Sequence, residues 1–250
     1  MSLNVLILSA GIGSRFKLKN QKPKALIKIG NKSLIERLLD ILIELKLKNF
    51  YIAVGYKKEL IKNALKKYNK KVNIKYIHIK DYKKVGSSYS FYKYKNHWLK
   101  KKKDTLLIHS DLFCHKNLIK DVINSRYKNI IGSFQKKTDI LKKGWIIKKN
   151  SNHKIYRIYK TLYKKNKTFN EISCINKFST TNLKKLFLLM ESYFKNISNK
   201  DTWEILINKF IIEKEMYFYS NHNTSGFWFN INTKADLKKA RNYNLKEKGI

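Results

Sequence analysis

Two stretches near the N-terminus hold the residues best suited to chemistry, L-S-A-G-I-G-S-R-F at residues 8–16 and P-K-A-L-I-K-I-G at residues 23–30. Gly11 and Gly13 follow the apolar run Val5-Leu6-Ile7-Leu8, a pattern fit for a buried strand that then turns sharply with no side chain in the way. Amides bared in such a turn can face phosphate oxygens. Ser14 adds a hydroxyl and Arg15 a permanently charged fork, while Lys24, placed by Pro23 at the start of the next extended segment, brings a mobile ammonium. Two cations beside a bare backbone suit a triphosphate. Taken singly, Arg15 and Lys24 are two of 56 Lys and Arg residues, and only their place beside the turn sets them apart.

Spacing separates this motif from others rich in glycine. A P-loop needs Gly-Lys-Ser/Thr to close it, and a dinucleotide fingerprint wants a third glycine where Phe16 stands. The joint pattern L-x-A-G-x-G-S-R followed by P-K-A-L resembles the signature of the sugar-phosphate nucleotidyltransferase superfamily, whose members make sugar nucleotides and CDP-alcohols. Within it, the chain is most similar to the small bacterial CTP:phosphocholine cytidylyltransferases. The resemblance implies an α/β fold, a single Rossmann-like (GT-A-like) domain over residues 1–250 with a mixed, mostly parallel central sheet flanked by helices. It also implies an enzyme that transfers a nucleoside monophosphate, CMP from CTP in first place, to a small phosphorylated acceptor and releases pyrophosphate.

Nucleotidyl transfer needs positive charge on the phosphates, a metal that spans them and an acceptor held in line, but no covalent nucleophile. The motif implies nucleotide contacts from Leu8, Ala10, Gly11, Gly13 and Ser14, with Lys24 on the α-phosphate and Arg15 on the leaving pyrophosphate. Asp111 ends the apolar run T-L-L-I-H-S, the edge at which open α/β sheets bind ligands, and is the candidate Mg²⁺ ligand; capping the 112–118 segment is the plainer role. Asn232, in W-F-N-I-N-T-K-A-D-L, occupies the place of a second metal ligand in the family's closing motif. Asn232 or Thr233 is equally an N-cap for the last helix, with Asp236 completing the pattern.

G-S-S-Y-S-F at 86–91 resembles the family's nucleotide loop, through Gly86, Ser87, Ser88 and Ser90, and reads equally well as a helix start. For the acceptor, relatives specific for phosphocholine surround the quaternary ammonium with aromatic and acidic residues. Trp145, Trp203, Glu204 and Trp228 are the matching candidates, although large aromatics at such positions also serve as core. His109 and His115 flank Asp111 and read as structural. A glycosyltransferase of similar fold would want Asp-x-Asp where this chain has His109-Ser110-Asp111.

These residues need a scaffold, and the chain supplies its pattern. Residues 33–47 carry apolar positions at helical period behind Ser33 as N-cap. Strand-like runs at 50–54, 72–79 and 105–110 alternate with helical segments at 58–68, 89–98 and 118–125, the order of a parallel sheet covered by helices. Further strands are expected at 130–135, 145–148, 154–159, 172–177 and 216–220, and helices at 183–193 and 202–212, with a closing strand, turn and helix at 227–243. No internal repeat or low-complexity linker divides the 250 residues.

With 43% hydrophobic residues the chain can bury a full core, and the net charge of +39 is spread over nearly every segment. That distribution argues against a dedicated nucleic-acid surface, the property of the rival reading as a basic binding module, and it would still draw in phosphorylated reactants. Cys114 and Cys174 have no partner at metal-binding spacing, which suits a reduced, cytoplasmic setting. No apolar run approaches the ~20 residues that cross a bilayer, so no membrane insertion is expected. The oligomeric state leaves no mark in the sequence.

Overall fold

The computed structural model describes residues 3–16, 22–137, 143–162, 167–223 and 226–247. In chain order the elements are β1 (Asn4–Ser9), β2 (Lys28–Ile29), β3 (Lys32–Ser33), α1 (Leu34–Glu44), β4 (Asn49–Val54), α2 (Lys58–Leu65), β5 (Asn73–His78), α3 (Ser87–Tyr92) and α4 (Lys95–Trp98). They continue through β6 (Thr105–His109), β7 (Leu112–Cys114), α5 (Lys116–Asn124), β8 (Ile130–Lys137), β9 (Lys143–Lys149), β10 (Ile155–Leu162) and β11 (Thr168–Phe178). Then come α6 (Thr180–Asn196), α7 (Trp203–Ile212), β12 (His222–Asn223), β13 (Trp228–Asn230) and α8 (Lys234–Glu247).

A nine-stranded sheet with the path β10-β9-β11-β6-β1-β4-β5 organises the molecule. It is mixed: β6, β1, β4 and β5 run parallel, whereas β11 is antiparallel to β6, β8 and β9. β6, β1 and β4 are central and nearly wholly buried, which is why β1 reads N-V-L-I-L-S with every residue covered, whereas β5 lies at the sheet edge and is partly exposed. From β1 the chain builds outward to β4 and β5, then returns to place β6 on the other side of β1. The strand order therefore reverses between β1 and β6, and the crevice beyond their carboxyl ends is where such sheets bind ligands.

Helix α1 starts where sequence reasoning placed it. Glu36 Oε2 accepts from the Ser33 N–H at 2.9 Å and from its hydroxyl at 2.6 Å, and Leu34, Ile35, Leu38, Leu39 and Leu42 turn into the core. Two expectations differ from the structure. The aromatic helix over 89–98 is two helices, α3 and α4. Residues 216–220 form no strand: Tyr219 makes single bridges to Ile130 and Lys154, because its segment is wedged between the starts of β8 and β10 and bonds to both.

A smaller buried cluster around Phe16, Ile29, Leu34, Phe113 and Ile231 joins the first loop to the segment before α8. It brings residues 24 and 232 into one site.

Candidate active site

Strand β1 ends at Ser9, and the Ala10 carbonyl accepts the Tyr56 N–H at 3.1 Å, which anchors the strand exit. Gly13 then takes φ +71°, the left-handed region that side chains disfavour, and the Phe16 N–H returns to its carbonyl at 2.9 Å to close a tight turn. A Cβ at Gly13 would stand 3.1 Å from the Cβ of Lys24, whereas one at Gly11 would meet nothing within 4 Å. Gly13 is thus demanded by the fold, and Gly11 only by whatever lies against it. The Arg15 side chain lies outside the described residues.

A cavity of about 860 Å³ opens beneath this turn, and Leu8, Ala10, Gly11, Gly13, Ser14 and Lys24 form one wall. The Lys24 ammonium donates to Asp111 Oδ2 and, at 3.0 Å, to Asn232 Oδ1. Asp111 is 7% exposed, and its Oδ1 is buried without a hydrogen bond from any described residue. Burial alone would raise the Asp111 carboxyl, but the Lys24 charge against it holds it below the usual carboxylate range.

The plainer roles fall to neighbours. His115, not Asp111, caps α5 by accepting the Asn117 N–H on Nδ1 at 3.3 Å. Before α8, Asp236 Oδ2 accepts the backbone N–H groups of Asn232 and Thr233 at 3.0 and 2.8 Å, and Thr233 Oγ1 accepts the Asp236 N–H at 3.1 Å. Capping occupies the Asn232 backbone and leaves its side chain turned to Lys24. Asp111 and Asn232 present hard oxygens around one ammonium, with a second carboxylate oxygen buried beside it, a donor set that fits Mg²⁺.

The opposite wall joins the 86–90 loop to the start of α7. Gly86, Ser87 and Ser90 line the cavity, as do Tyr82 and Val85, which sequence reasoning passed over as part of a polar loop. Ser88 does not line it; its hydroxyl donates to the Asp201 carbonyl at 2.6 Å, while Ser87 Oγ accepts the Trp203 N–H at 3.1 Å. A Cβ at Gly86 would lie 1.9 Å from the Asp201 carbonyl oxygen, so the two segments touch backbone to backbone.

At the far end the tryptophans separate. Half-buried Trp145 lines the cavity, as does Glu204, which is 5% exposed. Trp203 and Trp228 do not. Trp203 is wholly buried and donates its indole N–H to His109 Nε2 at 2.9 Å, and Trp228 donates to the Ser173 carbonyl at 2.9 Å. Other lining residues missed as site candidates include Glu171 and Cys174 on β11, Lys160 on β10, and His109, which was read as structural.

His109, Cys174 and Glu204 offer a nitrogen, a sulfur and an oxygen within 4.8 Å of one another. They fit a metal poorly. The Trp203 N–H takes the lone pair of His109 Nε2 and leaves the ring proton on Nδ1, so neither nitrogen is free to ligate. Burial, together with the nearby Glu204 and Asp111 charges, also pushes the Cys174 thiol well up. Burial likewise raises the Glu204 carboxyl.

Comparison with known proteins adds to this geometry. Residues 5–137 match the model of the MobA-like NTP transferase domain. The chain is 30% identical over 158 residues to the choline-phosphate cytidylyltransferase of Haemophilus influenzae, 62% of each chain. It is 27% identical over 128 residues to the CTP:phosphoglutamine cytidylyltransferase of Campylobacter jejuni, 50% of this chain and 49% of that one. The solved CTP:phosphocholine cytidylyltransferase of Streptococcus pneumoniae superposes with a TM-score of 0.79 at 20% identity, over 98% of this chain and 100% of that one, a likeness of fold. The chain spans 10% of the length of one curated relative, the bifunctional protein GlmU of a Synechococcus strain, and 62% of the H. influenzae enzyme. Among the described residues no helix is long and apolar enough to cross a membrane.

Proposed function

Because the chain belongs to the MobA-like NTP transferase domain family, we propose that it transfers a nucleoside monophosphate from an NTP to a small phosphorylated acceptor and releases pyrophosphate. The observation that carries this reading is the convergence of Lys24, Asp111 and Asn232 beneath the Gly11–Gly13 turn. CTP is the favoured donor, since the names of all three relatives just described specify CTP or a cytidylyl group.

In this reading the backbone from Ala10 to Ser14 receives the phosphates, and Lys24 moves from Asp111 to the α-phosphate, where negative charge builds as the acceptor approaches. Arg15 takes the pyrophosphate. An acceptor phosphate oxygen attacks the α-phosphorus, the bond from that phosphorus to the bridging oxygen breaks, and its electron pair leaves on pyrophosphate. Asp111 and Asn232 would hold Mg²⁺, which when bound neutralises phosphate charge and orients the reacting groups. No protein nucleophile takes part, in keeping with a Cys174 thiol held protonated.

Trp145, Glu204 and Glu171 would face the acceptor. Phosphocholine is the first acceptor to try, followed by other phosphorylated amino-alcohols or amino acids, phosphonates and sugar 1-phosphates. Purified protein given each common NTP, Mg²⁺ and this acceptor panel should release pyrophosphate only when donor and acceptor are both present. Salt-sensitive binding to long polyanions with no turnover would instead favour a basic binding module.

A further inference from the structure

The chain's positive charge is spread along its whole length and by itself marks no surface. The fold does. Residues 216–220 lie between the starts of β8 and β10 with alternate residues turned in and out: Met216, Phe218 and Ser220 are buried, whereas Tyr217 and Tyr219 turn to the surface. Lys154 pairs with Tyr219 and holds its ammonium 3.6 Å from the centre of the Tyr217 ring. The Ile155 N–H donates to the Phe218 carbonyl at 2.9 Å, which sets Tyr156 beside Tyr217; the two rings are 55% and 50% exposed. Tyr219 in turn stacks on Tyr127, with ring centres 4.3 Å apart and planes 2° from parallel, and the Arg126 guanidinium lies 5.0 Å from the Tyr127 centre. Four tyrosines and two cations from three separate stretches thus form one surface strip. None of the six lines the cavity.

Single exposed tyrosines are ordinary, but a row of rings interleaved with cations asks for a partner. The chain around the strip is basic: residues 140–170 hold ten Lys or Arg and no Asp or Glu, and Glu215, two residues before Tyr217, is paired with Lys185 at 3.1 Å. A second copy of the chain would bring the same charge and be repelled. An acidic peptide or a lipid headgroup would meet the cations and leave the rings without a flat partner. Single-stranded nucleic acid supplies both, phosphates for Arg126 and Lys154 and splayed bases that stack on tyrosine whatever their sequence. A duplex keeps its base faces stacked within itself. We infer that the strip formed by Tyr127, Tyr219, Tyr217 and Tyr156 binds single-stranded nucleic acid, at a site separate from the one proposed for nucleotidyl transfer. The even spread of charge, which argues against such a surface in the sequence, leaves the alignment of the rings out of account.

Binding of the full chain to a fluorescent single strand of about 12 nucleotides is followed by anisotropy at physiological salt, against a duplex and an abasic strand of the same length. The abasic strand keeps the phosphates and removes the bases. Co-sedimentation with anionic phospholipid vesicles is measured alongside. The single strand should bind about tenfold or more tightly than the abasic strand or the duplex. Tyr156→Ala with Tyr217→Ala should bring its affinity down to that for the abasic strand, whereas Phe at both positions, which keeps the rings, should preserve the preference. Thermal melting checks that the variants fold; if the Ala pair melts early, Leu at both positions, apolar but without a ring, replaces it. Lys100→Ala with Lys101→Ala, which removes two exposed charges elsewhere, should weaken all the nucleic-acid ligands alike. Pyrophosphate release should be unchanged in every variant, since none of these residues lines the cavity. Equal affinity for base-bearing and abasic strands, a preference for duplex or for vesicles, or a preference that survives loss of the rings would overturn the inference. Strand binding through the tyrosines without pyrophosphate release would leave it standing and count against the transfer reading instead.

Discussion

The two ends of the cavity are built in different ways. The proposed phosphate end comes from two nearby segments, residues 8–14 and 23–25, whose backbone and one lysine meet a carboxylate just after β6. The proposed acceptor end comes from β9, β11 and the starts of α3 and α7, and it presents side chains that meet only in the folded chain. Where the backbone does the binding, glycine spacing is constrained and leaves a mark in the sequence. Where side chains converge from distant strands, no local pattern records them. The phosphate end should therefore yield large, uniform losses on substitution, and the acceptor end selective ones.

Lys24 offers the sharpest break. Lys24→Met should lower turnover by about 100-fold or more with the fold intact, through loss of charge on the α-phosphate. It should also tighten binding of Mn²⁺ to the nucleotide-free protein, measured by electron paramagnetic resonance, because the ammonium no longer competes for Asp111 and Asn232. Unchanged turnover would leave the pair as a structural salt bridge.

Asp111→Asn comes next. Activity at ordinary Mg²⁺ should vanish and return in part at high Mg²⁺, since the variant keeps an oxygen but loses the anionic ligand. A Mg²⁺ titration that matches wild type would remove Asp111 from the metal site.

At the acceptor end, two tryptophans separate binding from folding. Trp145→Leu should raise the acceptor KM about tenfold, equivalent to ~1.4 kcal/mol, and leave the nucleotide KM alone. Trp203→Phe should instead lower stability by about 1–3 kcal/mol in urea melts, because it leaves His109 Nε2 buried without its donor. The reverse pattern would mean that Trp203, not Trp145, touches the acceptor.

The smallest effects distinguish the two glycines. Gly13→Ala should cost roughly 1–2 kcal/mol of stability, since its φ of +71° is strained for any side chain. Gly11→Ala should leave thermal stability within about 0.5 kcal/mol and raise only the nucleotide KM. Equal melting losses in both would place Gly11 in the fold rather than against the ligand.

Much of the parallel half was legible in the sequence. Apolar runs marked β1, β4 and β6, and helical period with a capping pattern marked α1. The acceptor half was less so, for reasons visible at single residues. Trp203 and Glu204 are adjacent, yet a helix turns about 100° per residue, so one enters the core and the other the cavity. Ser87 and Ser90 share a helix face on the cavity while Ser88 points to Asp201, a difference of register that the run S-S-Y-S does not announce. β11 was expected over 172–177 and spans Thr168–Phe178, because its polar start, Thr168-Phe169-Asn170-Glu171, is held by pairing with β8 rather than by its own apolarity. Glu171 was lost with that start. Tyr82 was lost because nothing in a polar loop signals which side chain turns inward.

The most direct measurement follows the label. With CTP carrying ³²P at the α-position, Mg²⁺ and the acceptor that supports pyrophosphate release, phosphocholine first, the radioactivity should move into the nucleotidylated acceptor, and with label at the γ-position it should appear in pyrophosphate, both absent in Lys24→Met. Label leaving the γ-position as inorganic phosphate, or α-label that never reaches any acceptor with any nucleotide, would contradict nucleotidyl transfer.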